Sequence, residues 1–241
     1  MQIEGKNGVR ELLCSNKTTE KISLLDGTRD PELRELAGKA KEKGIKIEYL
    51  DKRILDKMSI TSHHQGIIAT VTEFEYSELD DVINVAKSEN KNLFFVILDG
   101  VADPHNLGSV MRVAECAGVT GIIIPKNRAV SVNETVIRVS AGASEHVSVI
   151  KVTNINSTIE KLKDIGVFVY AADMDGEEMY RTNLTGDIAL VVGSEGFGVS
   201  HLTRKLCDGI ISIPMYGKVN SLNASVSAGI VIYEAIRQRR K

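Results

Sequence analysis

The sequence predicts an α/β protein with an open, mostly parallel sheet in its C-terminal two thirds and a small α/β unit ahead of it. Three observations carry this. Leu93-Phe94-Phe95-Val96-Ile97-Leu98 is an unbroken apolar run of strand length closed by Asp99-Gly100, the pattern of a strand buried on both faces. Similar runs then alternate with amphipathic stretches of helical period to the end of the chain. The 241 residues, 43% hydrophobic and 26% charged, have the composition of an ordinary globular protein, which excludes collagen-like, coiled-coil and wholly disordered classes.

Taken in order, Ile22 to Leu25 reads as a strand, Pro31 to Lys43 as a helix stopped by Gly44, and Ile45 to Leu50 and Gly66 to Val71 as strands. The stretch from Glu73 to Ser88 carries Glu73, Glu75, Glu78, Asp80 and Asp81 and reads as a solvated connector, giving a first domain at 1–72, a linker at 73–88 and a second domain at 89–241. After the strand at 93–98, Leu107, Val110, Met111, Ala114 and Ala117 fall at helical spacing, with Asn106 as N-cap and Gly118 as stop. A strand at Gly121 to Ile124, a helix near Ile155 to Ile165, strands at Val167 to Ala171, Ile188 to Val192 and Ile210 to Ile213, and a last helix from about Leu222 to Arg239 complete the alternation.

No apolar run approaches the roughly 18 residues of a membrane span, and Glu4 and Lys6 stand where a signal core would lie, so a cytoplasmic protein with no membrane partner is expected. Cys14, Cys116 and Cys207 are too far apart for a Cys-x-x-Cys motif and are expected to be buried and reduced. His63, His64, His105, His146 and His201 show no ligand spacing, so no metal site is expected. The net charge of −2 gives no global attraction to nucleic acid.

In open parallel sheets, ligands bind beyond the carboxyl ends of the strands, which selects three loops. The first is Asp103-Pro104-His105-Asn106-Leu107-Gly108 with Arg112 downstream. The second is Gly193-Ser194-Glu195-Gly196-Phe197-Gly198. The third is Ile213-Pro214-Met215 followed by Ser221-Leu222-Asn223-Ala224-Ser225. The second resembles a dinucleotide fingerprint, but Glu195 would repel a pyrophosphate on the following helix, so a neutral or cationic ligand fits better than a nicotinamide cofactor. The same glycines are equally explained by a plain strand-to-helix turn, Arg112 by a solvated helix arginine, and Ser221 and Asn223 by helix capping.

Taken together, Asn106 through Arg112, the 193–198 loop and the 213–225 segment resemble the three ordered motifs of the SpoU-type (TrmH-like) RNA ribose 2'-O-methyltransferases, over Leu93 to Arg239. Gly5-Lys6-Asn7-Gly8-Val9 and His64-Gln65-Gly66-Ile67-Ile68-Ala69 are similar to the accessory, RNA-binding domain of the bacterial 23S rRNA guanosine 2'-O-methyltransferases. The resemblance implies a deep trefoil knot in the C-terminal domain, with S-adenosyl-L-methionine held largely by backbone groups at Gly193, Ile213 and Leu222 beside Val192 and Met215. It assigns the 2'-hydroxyl step to Arg112, with Asn106 and Glu195 holding Arg112 in place and Ser221 and Asn223 bonding substrate or the neighbouring motifs. A guanidinium stays protonated in proteins, so Arg112 is read as orienting the hydroxyl and anchoring phosphate. The family acts as a homodimer through the last helix and the knot, with Arg112 close to the partner's surface, and Val226, Ile230, Tyr233 and Ile236 supply an apolar face on that helix.

The implied function is methylation of a guanosine ribose in the P loop of 23S rRNA, on naked rRNA or a large-subunit assembly intermediate. The alternatives are ribose methylation of tRNA or of another rRNA site, and a non-catalytic RNA-binding assembly protein of the same fold. Lys126, Arg128, Arg138, Lys218, Lys6 and Arg10 are candidates for tracking RNA phosphates.

Overall fold

A computed structural model of the chain describes residues 2–14, 18–72, 74–219 and 221–240. These form two compact units, Met1–Glu75 and Tyr76–Lys241. In the described residues the first unit runs β1 (Gln2–Glu4), α1 (Lys6–Cys14), β2 (Thr18–Leu25), α2 (Pro31–Glu42), β3 (Lys46–Leu50), α3 (Lys52–Met58) and β4 (Ile67–Thr72). Its sheet has the order β1-β4-β2-β3, with β2 and β3 parallel and β4 antiparallel to both β1 and β2. Val9, Leu12 and Leu13 of α1 and Leu33, Leu36, Ala37 and Ala40 of α2 recur at helical spacing and close over Ile22, Leu24, Ile67, Ala69 and Val71. Asp30 caps α2 by accepting from Glu32 N at 2.9 Å, and Pro31 supplies the preset φ of a first helical turn.

Two of the candidate RNA-tracking cations are already partnered in this unit. Lys6 Nζ lies 2.5 Å from Asp30 and 3.1 Å from Glu32, and Arg10 pairs with Glu32. Their charge is matched locally because α1 begins beside the acidic first turn of α2.

The second unit runs α4 (Leu79–Ser88), β5 (Phe94–Asp99), α5 (Pro104–Cys116), β6 (Gly121–Pro125), α6 (Glu134–Ser140), β7 (Val149–Val152), α7 (Ile155–Asp164), β8 (Phe168–Glu178), β9 (Ile188–Gly193), α8 (His201–Leu206), β10 (Gly209–Ser212) and α9 (Ala224–Arg239). The sheet order is β10-β8-β9-β5-β6-β7 and every pairing is parallel. From β5 the chain builds outward through β6 and β7, then returns to build β8, β9 and β10 on the other side, which creates a switch point at the strand ends.

The connector expected over 73–88 is a correction. Glu73 lies outside the described residues, but 79–88 is α4, whose Leu79, Val82, Ile83 and Ala86 are buried in one core cluster with Phe95, Ile97, Ile123, Ile150, Ile159 and Leu162. Of the acidic residues that suggest a solvated linker, Glu78 is the N-cap of α4, and Asp80 and Asp81 lie exposed on the outer face of this amphipathic helix.

The cysteines also depart from expectation. Cys14 and Cys116 are exposed; Cys207 is half-buried, and burial with the nearby Asp208 pushes its thiol up to about 12, which keeps it a thiol rather than a reactive thiolate at neutral pH. On α9, the buried residues are Ala224, Ala228, Val231, Ile232, Glu234 and Ala235, and the helix packs against α5 and β9. Val226 and Tyr233 remain 49% and 51% exposed. No helix of the described residues is long and apolar enough to cross a membrane.

Candidate active site

The site is assembled at the carboxyl ends of β8, β9 and β10. A cavity of about 640 Å³ opens there, lined by Val192, Gly193, Glu195, Ile213, Met215, Ser221, Leu222 and Asn223, together with Ala172, Asp173, Met174, Ser194, Gly196, Gly198, Ile211, Ala224 and Ser227. Eight of the ten residues named from the sequence therefore share one wall, although they come from two separate loops.

Gly193 shows why the second loop is written in glycine. It ends β9 where the chain doubles back, and a Cβ placed on it would lie 2.0 Å from Gly198 C and 2.2 Å from Val199 N. No side chain fits that crossing. The loop is closed by Gly198 N donating to Ser194 O at 2.9 Å and Ser194 N to Gly198 O at 3.2 Å. Downstream, Ser200 N donates to Asp99 Oδ2 at 2.9 Å, tying the start of α8 to the end of β5.

Asn106 does not cap α5. Asp103 does, accepting from His105 N at 3.0 Å, because Pro104 favours the first helical position and starts the helix three residues earlier than periodicity alone indicates. This leaves Asn106, 4% exposed, free to bond across the fold. Its Nδ2 donates to Glu195 Oε1 at 3.1 Å, and its Oδ1 accepts from Asn223 Nδ2 at 2.9 Å. Asn223 Nδ2 also donates to Glu195 Oε1 at 2.5 Å, so the three side chains form a closed ring. Asn223 Oδ1 at the same time caps α9 by accepting from Ser225 N and Val226 N. Capping and site roles are thus both filled by one residue.

Arg112 stands apart from this ring, which corrects the expectation that Asn106 and Glu195 hold it. Six residues separate it from Asn106, about 9 Å along the axis and a third of a turn around the helix. It is exposed, lies off the cavity wall, and makes no ion pair or side-chain hydrogen bond among the described residues.

One part of the wall escaped the sequence reading. β8 was expected to end at Ala171 but continues to Glu178, and its register on β10 jumps from Ala171 opposite Ile210 to Glu177 opposite Ile211. The stretch between these pairings bulges away from β10 while Ala172 still pairs with Val192 of β9, and Ala172, Asp173 and Met174 line the cavity. Arg204 of α8 holds the bulge through Asp173 at 3.2 Å and Asp175 at 3.6 Å. Asp173-Met174-Asp175-Gly176, following a buried run, was the available signal, by the same carboxyl-end rule that selected the other loops.

Residues 93–233 match the SpoU rRNA Methylase family, and residues 2–77 match the RNA 2'-O ribose methyltransferase substrate binding family. The chain belongs to the SpoU methylase family. YacO of Bacillus subtilis, assigned by name to the TrmH family of tRNA/rRNA methyltransferases, is 45% identical to it over 237 residues, covering 98% of this chain and 94% of YacO. The SpoU methyltransferase AviRb from Streptomyces viridochromogenes, solved in complex with the cofactor AdoMet, has a similar fold, with a TM-score of 0.61 at 23% identity over 99% of this chain and 90% of that one. The A. aeolicus TrmH/SpoU tRNA modifying enzyme aligns with a TM-score of 0.57 at 27% identity, covering 66% of this chain and 84% of its own. As a SpoU methylase, the chain is an RNA methyltransferase, and the cavity and its Asn106–Glu195–Asn223 ring occupy the matched segment.

Proposed function

We propose that this SpoU methylase transfers a methyl group from S-adenosyl-L-methionine to a guanosine ribose 2'-hydroxyl in the P loop of 23S rRNA. The observation that carries the reading is the cavity closed at one side by the Asn106–Glu195–Asn223 ring. Its size lies in the range of small-molecule sites. Val192, Ile211, Ile213 and Leu222 offer apolar walls for an adenine, while Glu195 and Asp173 suit a cation rather than a polyphosphate. These residues fit the cofactor. Bound there, it supplies an electrophilic methyl on a positively charged sulfur.

The chain's own residues bind and orient. Gly193, Ile213 and Leu222 supply the close-packed backbone wall, with Val192 and Met215 beside them. The ring fixes the Glu195 carboxylate, which accepts two amide protons on Oε1, and thereby the loop that carries it. Ser221, which lines the cavity, is assigned to bond substrate or the neighbouring motifs. Arg112, exposed and without an ion pair among the described residues, is assigned the orienting of the hydroxyl and the anchoring of an RNA phosphate.

The 2–77 segment is read as the rRNA-binding unit, and the knot as shared with the family. A homodimer is proposed through α9, where Val226 and Tyr233 are left uncovered by their own chain. Transfer of labelled methyl to unmodified 23S rRNA, with bulk tRNA and 16S rRNA in parallel, tests the reading. Label mapped to one P-loop guanosine is the expected result. Label in tRNA alone overturns the substrate, and no transfer to any RNA overturns the reaction.

A further inference from the structure

Phe197 is 94% exposed, yet its position is tightly constrained. The ring projects from the tip of the hairpin that Ser194 and Gly198 close with two backbone hydrogen bonds. Gly196 at φ 85° and Gly198 at φ 65° flank it, conformations that glycine adopts without steric cost, so the backbone is built to turn at both sides of the ring. On either side of the hairpin, Gly193 and Val199 are buried. The exposure of Phe197 is therefore a property of an anchored loop.

The same hairpin supplies Ser194, Glu195, Gly196 and Gly198 to the cavity wall, which puts the Phe197 Cα no more than about 8 Å along the chain from that of Glu195. Glu195, which has no ion pair among the described residues, disfavours a phosphate at this spot, whereas Asp173 is already matched by Arg204. An uncharged π-face is favoured instead. An RNA whose ribose enters a cavity must unstack locally, and an unstacked base gains most from an aromatic ring at the entrance. We propose that Phe197 is a stacking platform for a nucleobase next to the methylated ribose, and so a residue that selects and holds the RNA strand. This rests on the RNA methyltransferase reading above.

The chain contains no tryptophan, so Phe197→Trp, excited to the red of tyrosine absorption, gives a single tryptophan reporter at the site. The RNA used is whichever of 23S rRNA and bulk tRNA takes labelled methyl from the unmodified protein, a control that separates failure of this inference from failure of the reaction. Phe197→Ala should raise KM for that RNA roughly 5- to 100-fold, with S-adenosylmethionine affinity within about twofold of the unmodified protein and RNA affinity recovered in Phe197→Trp. The tryptophan emission should be quenched as RNA saturates. An unchanged KM in Phe197→Ala, or emission indifferent to RNA, overturns the proposal. So does loss of cofactor affinity in Phe197→Ala, which would make the ring a prop for the loop. Emission that changes with protein concentration alone would place the ring in a contact between two copies of the chain, and also overturns it.

Discussion

The Asn223 carboxamide is used at both ends: its oxygen accepts from Ser225 N and Val226 N, while its nitrogen donates to Asn106 and Glu195. The two uses separate by mutation. Asn223→Ala should lower stability by about 1–2 kcal/mol through the lost cap and also abolish the ring. Asn223→Ser keeps a good cap and removes only the amide donors, so its melting temperature should stay near the parent's while methyl transfer falls by at least about tenfold. Parallel loss of both in the serine variant would show the ring to be structural. At Arg112 the opposite pattern is expected. An exposed residue without an ion pair among the described residues contributes little to the fold, so Arg112→Ala should change stability by no more than about 0.5 kcal/mol while reducing transfer about a hundredfold. Full transfer by this variant removes Arg112 from the proposed machinery.

At the scale of the element, β9 and its exit loop depend on Gly193. Gly193→Ala forces a Cβ onto the Gly198–Val199 backbone, and a destabilisation of about 2 kcal/mol or more with loss of cofactor binding is expected from denaturant titration and calorimetry. In the first unit, β1 is fastened by Glu4. Partial burial works against its charge, but hydrogen bonds from the Ser59 and Thr61 hydroxyls and from the Ile60 and Thr61 backbone together lower its pKa to about 2. A carboxyl depressed in the folded state adds stability that is complete above its ordinary value near 4.5 and is lost as pH falls through about 2. The stability difference between the parent and Glu4→Gln should therefore shrink over that interval in acid titrations followed by circular dichroism. A constant difference would assign the effect to packing.

Much at this scale was legible because buried parallel strands are continuous apolar runs and the loops after them are chosen by a topological rule. What was hidden has physical causes. α6 and β7, seven and four residues long, are too short for periodicity to separate from loop. In α4, the acidic outer face outweighed the buried stripe of Leu79, Val82, Ile83 and Ala86. The ring joins residues 89 and 117 positions apart, and no local pattern encodes a contact at that separation. The motif residues were found individually; the detachment of Arg112 from them was visible only in three dimensions.

For the whole molecule, the second unit is locked at the end remote from the cavity as well. Gln238 Nε2 donates to Met179 O, Thr182 O and Glu234 Oε1, and Arg239 lies 4.4 Å over the Phe94 ring while donating to Leu184 O and Gly186 O. The outer stripe of α9 is left for another surface. Tyr233→Glu should convert the proposed dimer to a monomer in analytical ultracentrifugation without loss of secondary structure, and an unchanged sedimentation coefficient would exclude α9 as the interface. Nearly every wall of the cavity comes from residues 172–227. During synthesis the core of the first unit is complete once β4 leaves the ribosome, whereas the cavity waits for some 150 further residues, roughly eight to thirty seconds of translation. A nascent chain thus completes the unit matched to the substrate-binding family well before any wall of the cavity exists.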